Sequence, residues 1–203
     1  MSFYDSPEGV DRYLERVADR DDPSHTQRLI DLLPEGAAVL ELGMGPGRDF
    51  ERLRQRFIAL GTDASLEFLE RYQDKRPRAD LLQLDAVTLR TDRTFDGIFS
   101  NKVLHHLTRP QLEQSFARQA DLLLPGGVAV HTLWYGATAP EEVDGMVHTL
   151  HTPDSLAALL PAGLKVEEAV RYTDVAADDS IRLVLRKPRA QARLQVTGSV
   201  KLD

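Results

Sequence analysis

Glycine and acidic residues recur at three places where an apolar run gives way to a turn: Glu41-Leu-Gly43-Met-Gly45-Pro-Gly47, Asp63-Ala64-Ser65 and Asp85-Ala86. Glycines at alternate positions leave a turn without side chains, so a ligand can lie against the backbone. Asp63 stands 20 residues after Gly43, where a carboxylate can accept hydrogen bonds from both hydroxyls of a ribose. Asp85 is placed to meet an adenine amino group. The bland alternative, glycines that close a turn and acids that cap helices, explains each place singly but not their joint order. A fourth apolar run is followed by His105-His106. A neutral imidazole can take a proton from a nucleophile, which makes His105 the candidate general base. Adjacent residues at a helix start are not expected to face one pocket together. His148 and His151 have helical ligand spacing, yet no Glu or Cys completes a zinc motif, so they are read as a rim pair and no metal site is expected.

The elements that must carry these residues follow from periodicity. Short apolar runs alternate with amphipathic ones from Gly36 onward, the pattern of strand–helix units in a parallel sheet. Strands are expected at 38–42, 57–62, 80–84, 95–100 and 128–134, with closing strands at 164–172 and 181–186. Helices fall between them, one of them capped by Thr152-Pro-Asp-Ser155 and running to Leu160. A parallel sheet opens its ligand crevice at the carboxyl ends of its strands, where the glycine turn, Asp63, Asp85 and the histidines all fall. Val10, Tyr13, Leu14 and Val17 recur at helical spacing, so residues 1–24 are expected to form a helical cap over that crevice. Tyr4, Tyr13, Trp134 and Tyr135 are candidate pocket walls, because aromatic faces attract cations and pack flat molecules. Glu141, Glu142 and Asp144 read as a solvated loop.

Composition bounds the function classes. The chain has 203 residues and a net charge of −7; residues 181–203 carry +5 of it, so the remainder carries −12. An acidic body is a poor binder of nucleic-acid backbones, and the basic tail, 188–203, reads as a solvated end. Cysteine is absent, which removes disulfides, thiolate nucleophiles and Cys-ligated metals. No apolar run reaches the 18 residues of a membrane helix, and the N-terminus lacks the order of a secretory signal. The expectation is a soluble, cytoplasmic protein with one domain over 1–187; its oligomeric state is open.

The ordered motifs resemble those of the class I S-adenosylmethionine-dependent methyltransferases over roughly Tyr4 to Lys187. Val39-Leu-Glu-Leu-Gly-Met-Gly-Pro-Gly47 is similar to the family's first motif, Gly61-Thr-Asp63-Ala-Ser65 to the second and Gln83-Leu-Asp85-Ala86 to the third. Phe95-Asp-Gly-Ile-Phe-Ser-Asn-Lys-Val-Leu-His-His-Leu107 and Leu123-Leu-Pro-Gly-Gly-Val128 are similar to the fourth-strand motif and the turn before strand five. The resemblance implies an α/β, doubly wound, mostly parallel seven-stranded sheet (a Rossmann-like fold) whose last strand is antiparallel. It implies S-adenosylmethionine as cofactor, S-adenosylhomocysteine as product and a small-molecule acceptor. Glu41 would take the methionine ammonium, Gly43, Gly45 and Gly47 would pass under the cofactor, Asp63 would hold the ribose, and Ala64 would line the cofactor site. Asp85 with Ala86 would meet the adenine, the backbone near Asn101 the methionine end, and Tyr13 would cover the site. Met44, where the family often has a small or polar residue, is tolerated if its side chain points away. Two alternatives share the crevice. One is a nicotinamide-dependent oxidoreductase, disfavoured by Gly-x-Gly-x-Gly spacing and by the lack of a Tyr followed four residues later by Lys. The other is a cofactor-binding protein without turnover.

Overall fold

The computed structural model describes residue 4, residues 6–143 and residues 146–189. Asp144 and most of the basic tail lie outside the described residues. One seven-stranded sheet organises the chain. Its strands are β1 (Ala38–Leu42), β2 (Ile58–Asp63), β3 (Leu81–Gln83), β4 (Phe95–Asn101), β5 (Leu123–Trp134), β8 (Lys165–Tyr172) and β9 (Ser180–Arg186). They are ordered β3-β2-β1-β4-β5-β9-β8, with β1 to β5 mutually parallel and β9 antiparallel to both neighbours. The expected doubly wound sheet is present. Strand order reverses between β1 and β4, so their carboxyl ends splay apart and open the crevice there.

Side-chain alternation distributes the core to both faces. Val39, Phe99, Val130 and Val184 pack with Leu29 of α2 (Ser24–Leu32) and Leu53 of α3 (Arg48–Leu53). Their neighbours Leu40, Ile98, Ala129 and Leu183 pack on the other face with Leu112 and Phe116 of α5 (Arg109–Leu122). A third cluster joins Met44 to Phe50 of α3 and to Leu69 and Tyr72 of α4 (Leu66–Lys75). Met44 is 4% exposed and is thereby drawn into this cluster, as its tolerance requires.

The boundaries differ from expectation in instructive ways. The third strand is three residues long, and the fifth begins at Leu123, where a register shift between Phe95 and Gly97 absorbs the Leu-Pro-Gly-Gly turn. The Thr152-capped helix, α6, ends at Ala157 rather than Leu160. The acidic stretch is no simple solvated loop: β6 (Glu141–Val143) and β7 (Met146–His148) form a two-stranded hairpin whose backbone groups satisfy one another. His148 therefore ends a strand, and the helical spacing read for His148 and His151 does not exist.

The N-terminal helix α1 (Pro7–Arg16) starts where Ser6 Oγ accepts the Gly9 N–H at 3.1 Å. It is strapped down by Arg48, whose guanidinium donates to the carbonyls of Val17, Arg20 and Ala18 at 2.8, 2.6 and 3.1 Å. Ser65 Oγ donates to the Tyr4 carbonyl at 2.6 Å, and Arg71 pairs with Asp11 at 2.5 Å. These bonds lay Tyr4 and Tyr13 over the crevice, edge to face with centroids 5.4 Å apart.

Gly61, in the middle of β2, makes room for Met44: a Cβ there would stand 2.8 Å from Met44 Sδ and 3.0 Å from both Leu81 and Phe50. Gly61→Ala should therefore cost about 1–3 kcal/mol of overpacking in urea unfolding. In a double-mutant cycle with Met44→Ala the two losses should be less than additive. Strict additivity would mean that Met44 does not set the volume at this site.

Candidate active site

Two adjoining chambers fill the crevice. The first, about 340 Å³, is lined by Gly43, Gly45, Asp63, Ala64, Asp85 and Ala86, with Phe68 and Leu107 as apolar walls. The second, about 450 Å³, is lined by Glu41, His105, His106, Trp134, His148 and Tyr172 among others. Tyr13, Gly43, Gly45, Asn101 and Lys102 line both. Of the residues singled out in the sequence, nine of the ten cofactor candidates and His105 border this crevice. Gly47 does not. It is the left-handed N-cap of α3 at φ +83°, and a Cβ there would stand 2.4 Å from the Tyr72 ring, so its bare α-carbon serves helix packing. Gly45 is different: at φ +50°, the nearest atom to an added Cβ is Tyr13 Cε1 at 3.9 Å, so a larger side chain would project into the crevice.

Three largely buried carboxyl groups gather beside the glycine turn. Asp63 closes the turn by accepting the Gly45 N–H through Oδ2 and the Ser65 N–H through Oδ1, each at 2.9 Å. Burial raises its pKa while these backbone donors oppose the rise. Asp49, at the start of α3, is likewise raised by burial, although the Asn101 amide donates to its Oδ2 at 2.9 Å. Glu41 is 2% exposed, its Oε2 has no hydrogen-bond partner, and burial reinforced by Asp49 and Asp63 holds its pKa well above the ordinary 4.5. Three carboxyl groups sharing a low-dielectric site call for a cation between them. Asn101 spends its side chain on Asp49 and on the Thr132 hydroxyl. Asp85 is the exception in polarity: it is exposed, and its carboxylate accepts from Val87 N and Thr88 Oγ1, an Asx turn that shapes the end of the first chamber.

A buried polar chain supports the first chamber from below. The Gln119 amide donates to Ser115 Oγ at 3.1 Å, so its carbonyl accepts from His131 Nε2 at 2.9 Å, and His131 Nδ1 accepts from Ser100 Oγ at 2.8 Å. Ser115 Oγ in turn donates to the Ala86 carbonyl at 2.6 Å, fixing the loop that carries Asp85 and Ala86. Burial pushes the His131 pKa down to about 3, which keeps this chain neutral.

The histidines depart from expectation. His105 and His106 close a 3₁₀ turn and both line the second chamber, so the expectation that adjacent side chains at a helix start cannot share one pocket does not hold. His148 joins them; ring nitrogens of the three lie within 4.8 Å of one another. His151 is fully buried apart from the cluster and does not form the expected rim pair. Trp134 lines the chamber, whereas Tyr135 instead carries the Arg171 guanidinium on its ring at 3.9 Å. The sequence did not single out Lys102, whose backbone lies at φ +56° just after β4. Its ammonium sits 3.2 Å from the Trp134 ring centroid and 3.2 Å from Asp174 Oδ2, and burial lowers its pKa to about 8. Adjacency to Asn101 was the only available signal. Asp49, Tyr172 and His25 also reach the second chamber without any motif to announce them.

Comparison with known proteins matches this geometry. Residues 39–127 match the family described as "Methyltransferase domain". A stretch of 100 residues, 47% of the chain, is 37% identical to the trans-aconitate 2-methyltransferase of Variovorax paradoxus (strain S110). The match spans only 38% of that relative's length. A solved S-adenosylmethionine-dependent methyltransferase from Clostridium acetobutylicum ATCC 824 has the same fold at a TM-score of 0.71 and 14% identity, over 89% of this chain and 98% of that one. The 1,6-didemethyltoxoflavin-N1-methyltransferase of Burkholderia thailandensis, solved with 1,6-didemethyltoxoflavin and S-adenosylhomocysteine, reaches 0.71 at 22% identity, over 89% of this chain and 83% of that one.

Glu41 provides a test of the buried charge. A carboxyl whose folded pKa is raised stabilises the native state fully below its unfolded value, and that contribution is lost as pH rises through the folded value. In ligand-free protein, Glu41→Gln should therefore gain melting temperature relative to wild type, by an amount that grows from pH 5 to pH 8. A gap independent of pH would show that Glu41 is already ionised and compensated.

Proposed function

We propose that this chain, which has the fold of the class I S-adenosylmethionine-dependent methyltransferases and matches a methyltransferase domain over residues 39–127, transfers a methyl group from S-adenosylmethionine to a small-molecule acceptor. The observation that carries the proposal is the buried cluster of Glu41, Asp49 and Asp63 against a side-chain-free glycine turn. Glu41 has an unpartnered buried oxygen, and Gly45 leaves a space that any Cβ would enter. An α-ammonium satisfies that oxygen, and the positive sulfonium gains from the neighbouring acids. A nicotinamide dinucleotide would instead bring a diphosphate against Glu41 and Asp49, charge facing like charge.

On this basis Glu41 holds the ammonium, Asp63 the ribose, Ala64, Asp85 and Ala86 the adenine side, and the Asn101 backbone the methionine end. Tyr13 and α1 close over the first chamber as a cap. S-adenosylmethionine supplies a methyl group on an already activated sulfur, which leaves the protein to align the acceptor and exclude water. The acceptor occupies the second chamber, between Trp134, Tyr172 and the histidine turn. His105 is assigned the acceptor's proton: it is 2% exposed, its Nδ1 has no hydrogen-bond partner, and burial together with His106 and His148 holds its pKa well below the ordinary 6.5. The trans-aconitate 2-methyltransferase makes small organic acids the first acceptors to screen.

Calorimetry should detect S-adenosylmethionine binding that Asp63→Ala weakens by about 1.5–3 kcal/mol, the scale of hydrogen bonds to a charged acceptor. Gly45→Val, if folded by circular dichroism, should not bind. Retained binding in both variants, or a nicotinamide nucleotide copurifying in mass spectra, would overturn the assignment.

His105→Ala should lower kcat by about 10²–10⁴-fold with little change in cofactor affinity. Because the His105 pKa is depressed, the wild-type rate should stay level from pH 8 down past 6.5 and fall only in more acid solution. A rate that halves near pH 6.5 would point to a more exposed base.

A further inference from the structure

Three imidazoles from two separate segments converge on the second chamber, and among the described residues no carboxylate joins the cluster. His105 and His106 come from the turn after β4, and His148 comes from the end of the β6–β7 hairpin. Ring centroids are 4.1 Å apart for His105 and His106, 4.9 Å for His106 and His148, and 5.3 Å for His105 and His148. The segments are fastened together: Thr149 N donates to the His105 carbonyl at 2.8 Å, and Thr149 Oγ1 donates to the Leu107 carbonyl at 3.0 Å.

Tautomers can be read from the partners. His106 Nδ1 lies 3.2 Å from the Val147 carbonyl, which only accepts, so Nδ1 carries the hydrogen and Nε2 keeps its lone pair. A ring N–H tied to a backbone carbonyl is the usual outer support of a metal-ligating histidine. His105 contributes a buried Nδ1 that no protein group satisfies.

We propose that His105, His106 and His148 bind a divalent transition-metal ion of the zinc type, leaving its fourth position open to the second chamber for a heteroatom of the acceptor. Three nitrogens on a tetrahedral zinc, at 2.0–2.1 Å, stand about 3.4 Å apart, so a cluster within 4.8 Å must contract by about 1.4 Å at most. Small ring rotations supply that. An all-imidazole set suits zinc, copper, nickel or iron and excludes calcium and magnesium, which require oxygen. The metal's role rests on the methyl-transfer function proposed above. As a Lewis acid it lowers the pKa of a coordinated hydroxyl or thiol, whose proton leaves to solvent before transfer. With the ion bound, His105 is a ligand and solvent takes the proton, so the base role given to it above is that of the metal-free protein.

The test uses the untagged 203-residue chain, stripped with a chelator and titrated with Co²⁺ and with Zn²⁺ against a chromophoric chelator. One ion per chain is expected, with the intense visible bands of tetrahedral cobalt. His106→Gln and His148→Gln should weaken binding by about 100-fold or more, while His151→Gln, apart from the cluster, should not. X-ray absorption of the wild-type zinc adduct, which needs no variant, should show imidazole nitrogens at about 2.0 Å. Absence of the cobalt bands, an oxygen-only shell or equal affinity in all variants would overturn the site. S-adenosylmethionine calorimetry on the stripped protein separates the two proposals. Cofactor binding without metal binding overturns the metal site alone. Metal binding without cofactor binding supports the site and overturns the methyl-transfer function.

Discussion

Burying Glu41, Asp49 and Asp63 within one crevice is the constraint to which the surrounding structure answers. Each carboxyl resists ionisation because water has been removed from it, and Asp49 and Asp63 make ionisation of Glu41 harder still. A fold tolerates this only with compensating donors. Asp63 receives two backbone N–H groups, one from the glycine turn that it helps to close. Asp49 receives the Asn101 amide and the Arg52 guanidinium. Glu41 keeps one oxygen without a partner, and this residual deficit is what a bound cation would relieve.

The sheet makes that concentration of charge affordable by placing it at the reversal of strand order, where the carboxyl ends of β1 and β4 separate. Rigidity there comes from both sides. On one face the chain of Ser100, His131, Gln119 and Ser115 reaches through the core to the Ala86 carbonyl, coupling β4, β5 and α5 to the loop beneath the first chamber. A fully satisfied neutral network of this kind specifies position at little electrostatic cost. On the open side, Arg48 gathers three carbonyls past the end of α1 and so holds the aromatic roof of Tyr4 and Tyr13 in place.

The two chambers are built by different means. The first is assembled from consecutive strand ends, each contributing a short local motif. The second draws on the β4 turn, the end of β5, the β6–β7 hairpin and Tyr172 at the end of β8. Its chemistry therefore depends on how distant segments meet. That difference follows from the fold, in which five parallel strands fix the first chamber and the later segments are free to shape the second.

The sequence by itself determined the first chamber. Strand alternation, the glycine turn, Asp63 and Asp85 are local signals, and a parallel sheet with short connections brings successive strand ends together. Only the tertiary structure decided the rest. Gly47 is bare because Tyr72, 25 residues later, packs against it, which spacing cannot reveal. Lys102 reaches the crevice through a left-handed backbone that no motif predicts for a lysine. His148 was read with His151, its neighbour in sequence, yet it lies beside His105 and His106, more than 40 residues earlier. Their convergence requires the β6–β7 hairpin to fold back on the β4 turn, where the Thr149 N–H and hydroxyl donate to the His105 and Leu107 carbonyls, contacts that no periodicity in the histidines announces.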